Sequence, residues 1–489
     1  MSEFNSPISE VRNRDGLDPD GSVGDPLALS RLRPEWSARV PITRIQRMVL
    51  MAVCGGLLLL SAWHPWLTAR AFVLTASVFY VIHALYKLAL VRFSISVNSE
   101  LSVGADELAA LRNEALPVYS ILVPMYHERE SVKSLIQALS QLDYPPDKLD
   151  VQLLLEADDA ETRSAVEALA LPPGFRVTVV PVSQPRTKPK ACNVGLDSVR
   201  GEYLVIYDAE DRPERDQLKK AVLGFSRAGA KTICLQSRLN FYNPRQNLLT
   251  RLFTAEYSAW FDLALPGLSA VRAVIPLGGT SNHFVTRKLK ELLGWDAFNV
   301  TEDCDLGIRI QRAGYGTRML RTTTWEEACS RLRFWIPQRT RWIKGYIQTY
   351  LVHMRHPRRL LSELGVAGFL HFQMVVGCST LATLLNPLFW FLAILWFLFR
   401  IEALTSLFPG SVFAMGAICL FAGNFAFVYL GMIGCYRRRY WDLVGYALLA
   451  PFYWILMSYS GWRAFFQFFA DPFKWEKTRH GLCGKADES

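Results

Sequence analysis

The sequence predicts an open α/β domain inserted between transmembrane helices, and two observations carry that prediction. Apolar residues make up 51% of the 489-residue chain and gather at about 47–92 and 364–469, whereas a single soluble domain would interleave them throughout. The block between them reads as short β-type runs alternating with amphipathic helical stretches, the pattern of an α/β sheet that collects ligands at the carboxyl ends of its strands.

Taken in order, residues 1–45 form a polar tail rich in Ser, Asp, Gly and Pro, expected to be disordered and cytoplasmic. Arg31, Arg33, Arg39, Arg44 and Arg47, offset only by Glu35, precede the first span and place it inside. The first apolar stretch begins too late for a cleavable signal peptide. Residues 46–92 form a transmembrane hairpin, with two stretches (47–67 and 69–91) each near the ~20 residues that cross a bilayer, turning at His64-Pro65-Trp66.

Residues 99–357 form the soluble domain, with strands expected at YSILVP (119–124), VQLLLEAD (151–158), RVTVVPV (176–182), YLVIYDAED (203–211) and KTICLQS (231–237). Helices fill 130–142, 160–169, 189–199 and 213–228. Residues 364–463 form a second membrane block with spans at 366–384, 387–402, 411–434 and 440–461, or three spans if the first lies at the interface. The four-span choice puts Arg437, Arg438 and Arg439 outside, against the positive-inside rule. It keeps the tail, 464–489, in the cytoplasm.

The formal net charge of +10 raises the question of nucleic acid, but no zinc-finger spacing or RNA-binding signature accompanies it, so no nucleic-acid partner is expected. The nine cysteines are scattered, without a CxxC, and read as reduced thiols rather than a disulfide or zinc framework.

Several motifs carry chemistry. Asp208-Ala209-Glu210-Asp211 closes a strand, and two carboxylates one residue apart can hold a hard divalent cation that neutralises a diphosphate leaving group; a solvated acidic turn is the bland alternative. Asp158 and Asp159, with Glu156, end an earlier strand in the same way. Thr301-Glu302-Asp303 offers a general base or a helix cap over 303–313. Gln338-Arg339-Thr340-Arg341-Trp342 offers a guanidinium for phosphate and an indole face for a sugar ring, or an interfacial anchor. Lys188 and Lys190 open a helix as phosphate-neutralising or surface lysines. Tyr126-His127-Glu128 follows the first strand, where the aromatic suits a nucleobase.

The order PMYHERE, LLLEADDAET, TKPKACNVGL, YDAED, GGTSNHF, VTEDCDLGIR, QRTRWIKGY resembles the membrane-embedded, processive family-2 glycosyltransferases of the cellulose synthase type, most of all bacterial exopolysaccharide and β-glucan synthases. The resemblance covers roughly 117–357 plus the tail. It implies a GT-A domain with a mixed, mostly parallel sheet, and a hexosyltransferase that polymerises a nucleotide sugar, UDP-glucose above others, at the bacterial inner membrane with its catalytic domain cytoplasmic. It implies Asp303 as catalytic base and Asp208 and Glu210 as ligands of Mg²⁺ or Mn²⁺, with Asp211 open as a third. It implies Tyr126, Glu128, Asp158, Lys190 and Arg341 at the donor, with Glu156 as the alternative to Asp158 and with His127 where the family has Asn. Gln338 and Trp342, with Gly278, Gly279 and Thr280, would line the acceptor path. Trp475, Lys477 and Thr478 resemble a gating segment, against a lipid-facing end. The implied partners are a nucleotide-sugar donor, a growing glycan and membrane lipids; a periplasmic export subunit is left open. The rival is a non-processive enzyme adding one sugar to a lipid-linked acceptor.

Overall fold

The computed structural model describes residues 25–95, 99–400, 424–474 and 476, with five isolated positions between 407 and 418. An eight-stranded sheet forms the centre: β1 (Tyr119–Met125), β2 (Leu149–Glu156), β3 (Phe175–Val180), β4 (Tyr203–Ile206), β5 (Arg212–Pro213), β6 (Thr232–Phe241), β7 (Asn282–Val285) and β8 (Gly316–Glu326). Their spatial order is β3-β2-β1-β4-β7-β6-β8-β5. The β3-β2-β1-β4 half is parallel, β7 runs antiparallel to both neighbours, and β6 and β8 pair in parallel. The sheet is therefore mixed and GT-A-like.

Strand alternation explains the two core layers. Ile121, Val123 and Met125 of β1 face one cluster with Val132, Leu135 and Leu218, while Leu122 faces another with Ala191 and Leu196. A strand buried on both faces reads as a continuous apolar run rather than an alternating one, which YSILVP does.

Four helical stretches are long and apolar enough to cross a membrane: Arg44–Trp63, Pro65–Ser94, Pro357–Phe399 and Trp441–Ala470. Thr43 starts the first with a capping box, its hydroxyl accepting from the Gln46 amide at 3.2 Å while Gln46 accepts from the Thr43 amide at 3.0 Å. In the third stretch, Gly365 in the left-handed region (φ 68°) kinks the chain, and the helix then runs on to Phe399 through Pro387. This corrects the expected break between spans 366–384 and 387–402. A proline in an apolar helix loses one backbone bond without ending the helix.

The last helix, Ala450–Ala470, packs along the domain. It lies lengthwise beside the helix Leu332–His353: the Tyr453 ring lies 5.1 Å from Trp335 and tilted by 60°, Arg463 donates to Thr340 at 3.2 Å, and Lys344 donates to the Lys474 carbonyl at 2.8 Å. Tyr453, Ser460, Ala464 and Phe468 are buried, while Phe452, Ile455, Tyr459, Trp462, Phe466 and Phe469 form an exposed apolar stripe. One face therefore packs on the domain and the other is apolar and outward, within the stretch Trp441–Ala470 that is long and apolar enough to cross a membrane. Arg438 ion-pairs with Asp262 at 2.6 Å and Arg437 donates to its carbonyl at 3.1 Å. Arg437 and Arg438 are therefore tied to the soluble domain.

The N-terminal tail is a second correction. Residues 25–43 dock on the domain: buried Asp296 accepts from Ser37 Oγ at 2.8 Å and from the Ala38 amide at 2.5 Å, and Arg355 donates to the carbonyls of Pro34 and Ser37 at 2.9 and 3.0 Å. Trp36 is buried beside Arg312, 4.9 Å from its ring. The polar composition concealed these specific anchors.

Candidate active site

A cavity of about 940 Å³ runs from the strand ends to the membrane helices. Its domain end is built by the turn after β4. The Asp208 amide donates to Asp211 Oδ2 at 2.8 Å, and the Thr280 hydroxyl donates to the same carboxylate. This makes Asp211, 1% exposed, the brace of the turn. Asp208 and Glu210, both half-buried, line the cavity. Burial, reinforced by neighbouring carboxylates, pushes the Glu210, Asp211 and Glu326 carboxyls well above the usual range.

Among the described residues no three His, Cys, Asp or Glu side chains form a metal cage. The donor set nevertheless fits a hard cation that draws the rest of its shell from phosphate and water. Two carboxylates stand at an open strand end, and their mutual repulsion is what such an ion would relieve. Asp208 and Glu210 would hold it.

The Lys188 ammonium bonds the Asp208 carboxylate and the Gly279 carbonyl (2.6 Å). It, rather than Lys190, faces the cavity. Lys190 is fully buried, 3.1 Å from Glu156 and 3.1 Å from the Pro181 carbonyl, so its expected donor contact is corrected. Two residues apart on a helix are ~200° apart around the axis, and only one of the pair can face the site.

Asp303 sits in the first turn of the helix Glu302–Arg312, its Oδ1 accepting from the Cys304 amide at 2.7 Å. Thr301 makes no side-chain cap bond, so the capping alternative does not account for the motif. A Cβ on Gly279 would stand 3.4 Å from Asp303 Oδ2, which places that glycine directly against the carboxylate. Burial raises the Asp303 carboxyl while Lys188 and Arg341 oppose the shift; burial and the Asp303 charge push Glu302 up to about 8.

Gln338, Arg341 and Trp342 share one face of Leu332–His353 by their i, i+3, i+4 spacing, and all three line the cavity. The Arg341 guanidinium reaches the Val300 carbonyl at 3.4 Å. Arg339, given no role of its own in the sequence reading, lies 4.6 Å over Trp342 and ion-pairs with Glu256. The helix approaches the catalytic turn closely: a Cβ on Gly345 would come within 2.2 Å of Thr301 Oγ1. Buried Asp305 clamps the same two helices through Arg309 (2.7 Å) and His353 (3.0 Å).

Tyr126, Glu128, Glu156, Gly278 and Gly279 line the cavity. Asp158 does not line it but pairs at 2.6 Å with Arg186, which does, whereas Glu156 lines it directly. Thr280 is corrected from an acceptor-path residue to a support of Asp211, since it is 1% exposed. Trp475, Lys477 and Thr478 lie outside the described residues. Lys188, Arg339 and Glu256 are the site residues that sequence reasoning missed or left unassigned. The sequence signal for Lys188 was its helix-opening position before the β4 strand.

Mixed sheet, acidic strand end, buried helix-start carboxylate and flanking arginine define a GT-A-like glycosyltransferase domain. Residues 117–345 match the family described as "Glycosyltransferase like family 2", and this part of the chain is a family-2 glycosyltransferase domain. It is similar to "Probable glycosyltransferase YdaM" of Bacillus subtilis, 29% identical over 237 residues that cover 47% of this chain and 55% of the relative. Cellulose synthase 2 of Novacetimonas hansenii is 31% identical over 241 residues, 47% of this chain and 14% of the relative. Glucomannan 4-beta-mannosyltransferase 2 of Arabidopsis thaliana is 27% identical over 212 residues, 42% and 40%. The chain thus matches about half or less of these relatives' length. Among solved structures, a mannosyltransferase from Pyrobaculum calidifontis in complex with GDP-Man and Mn²⁺ aligns with a TM-score of 0.43 at 19% identity, over 72% of this chain and 99% of that one.

Proposed function

We propose that the chain is a processive inverting glycosyltransferase that lengthens a β-linked glycan from a nucleotide sugar and passes it into the membrane helices. The observation that carries this reading is the continuity of one cavity from Asp208, Glu210 and Asp303, past Trp342, to Tyr80, Thr383, Asn386 and Phe427 of the apolar helices.

Asp303 takes the proton from the acceptor hydroxyl, and that oxygen attacks the anomeric carbon from the face opposite the leaving nucleoside diphosphate. A single displacement needs one base and no enzyme nucleophile. Arg341 and Lys188 stabilise the charge that develops on the departing diphosphate. A Mg²⁺ or Mn²⁺ ion held by Asp208 and Glu210 would supply further charge neutralisation there. Trp342 carries the acceptor ring. UDP-glucose is the donor suggested by the cellulose synthase relatives, and the setting is the bacterial inner membrane with the domain on the cytoplasmic side, where Arg437, Arg438 and Arg439 belong by the positive-inside rule. An export subunit would be a separate chain.

Asp303→Asn tests the base: sugar transfer should fall by about 10²–10⁴-fold with donor binding retained. A variant that still transfers at the wild-type rate removes the assignment.

A further inference from the structure

The membrane-level part of the cavity contains a cation that the catalytic scheme does not use. On the helix Pro65–Ser94, Tyr80, His83, Ala84 and Lys87 all line the cavity, and their spacing puts them on one face. Tyr80 is engaged, donating to Asn386 Oδ1 at 2.6 Å. Lys87 has no carboxylate within ion-pair distance among the described residues: its ammonium lies 5.4 Å from the Trp260 ring and 6.0 Å from Phe427. The carboxylate of Glu256, on the same helical segment as Trp260, is already held by Arg339 at 2.8 Å and by the Tyr453 hydroxyl at 2.7 Å. One turn from Lys87, His83 is 4% exposed and its Nδ1 has no hydrogen-bond partner among the described residues.

An ammonium at membrane depth is costly and is retained where it pairs or serves a ligand. Aromatic faces offset only part of that cost. An orphaned buried imidazole nitrogen is a second unmet demand in the same place. Both demands are met by one oxygen anion seated between them. Lys87 lies against Trp260 and Phe427, on a helix that carries none of Asp208, Glu210, Lys188 or Asp303, so on the acceptor-path reading such an anion belongs to the acceptor and not to the donor's diphosphate.

We propose that Lys87 and His83 form an anion subsite in the acceptor cavity, and that the acceptor carries a phosphate or carboxylate group beyond its reacting sugar. This rests on the reading of the cavity as the acceptor path. The shared chemistry has two sources, the phosphate of a lipid-linked acceptor or the carboxylate of a uronate-containing glycan.

The test is equilibrium binding to the full chain in lipid nanodiscs with two matched probe pairs: farnesyl phosphate against farnesol, and tetragalacturonate against cellotetraose. The wild type should prefer the anionic member of one pair by about tenfold or more. Lys87→Arg should keep that preference and Lys87→Gln should erase it, with Lys87→Met replacing the latter if it does not fold. Preference within the first pair identifies a lipid phosphate, and within the second an acidic glycan. No preference in the wild type, or a preference that survives Lys87→Gln, overturns the subsite. UDP binding in the same preparations reports on the donor site separately: its absence from the wild type counts against the glycosyltransferase reading and not against the subsite.

Discussion

The two ends of the cavity solve opposite problems. The domain end crowds Asp208, Glu210, Glu302, Asp303 and Glu326 around two cations, Lys188 and Arg341, so that acidic groups are in surplus, a surplus that a divalent cation would relieve. The membrane end is lined by aromatic and small side chains such as Phe427, Trp454 and Thr383, with Lys87 set among them. The difference teaches how one tunnel divides its labour. On the proposed reading, electrostatics is concentrated where bonds would break, and an apolar passage takes over where the product would only have to move.

The largest effect should come from removing the charge logic of the domain end. Chelation of divalent metal, or Asp208→Ala, should lower transfer by about 10²-fold or more, as loss of a preorganised electrostatic partner does; Mn²⁺ or Mg²⁺ should restore the chelated wild type and not the variant. Transfer that persists in chelator would break the comparison at its acidic end.

The two lysines sharpen it next. Lys188→Met should cost about 10²-fold in kcat while leaving the thermal midpoint nearly unchanged. Lys190→Met should do the reverse, leaving Glu156 as a buried, unpaired carboxylate at a cost of about 3–5 kcal/mol. Equal kinetic losses from both would mean that both reach the donor.

A smaller effect is expected at the seam between the ends. Gly345→Ala puts a methyl into Thr301 and should cost about 1–3 kcal/mol of stability, with transfer reduced because the Trp342 helix moves against the catalytic turn. A neutral result in both assays would mean that the approach is looser than 2.2 Å implies.

The smallest is a pH dependence. Glu302 is raised from its ordinary 4.5 to about 8 in the folded chain, chiefly by burial and by Asp303, with Lys188 and Arg341 acting against the rise. The folded state then holds the proton over a range where the unfolded state has lost it. Its contribution to stability is complete below pH 4.5 and disappears as pH rises through 8. Glu302→Gln should flatten that part of a thermal-midpoint profile.

The fold and the reacting groups were legible because they are written in short segments. A β run ending in Asp208 and Glu210, and a helix opening at Asp303, need no knowledge of distant chain. What was hidden depends on long-range packing. Lys188 and Lys190 are interchangeable in a motif, and only the rotation of their helix against Glu156 and Asp208 separates them. The helix runs through Pro387, where two spans were expected, because a proline's lost bond weighs less among apolar helices than in water. Residues 25–43 looked unstructured because their anchors, Asp296 and Arg355, lie over 250 residues away. The helix Ala450–Ala470 is apolar enough to cross, and only its polar contacts with Thr340, Lys344 and Gln348 show which face is occupied.

The direct test of the central claim is to incubate the detergent-purified chain with a panel of radiolabelled nucleotide sugars and Mg²⁺ or Mn²⁺, and then to size the product. A long polymer from one donor is the predicted result. A product that stops after a single sugar on a lipid acceptor would contradict processive synthesis and install the non-processive rival.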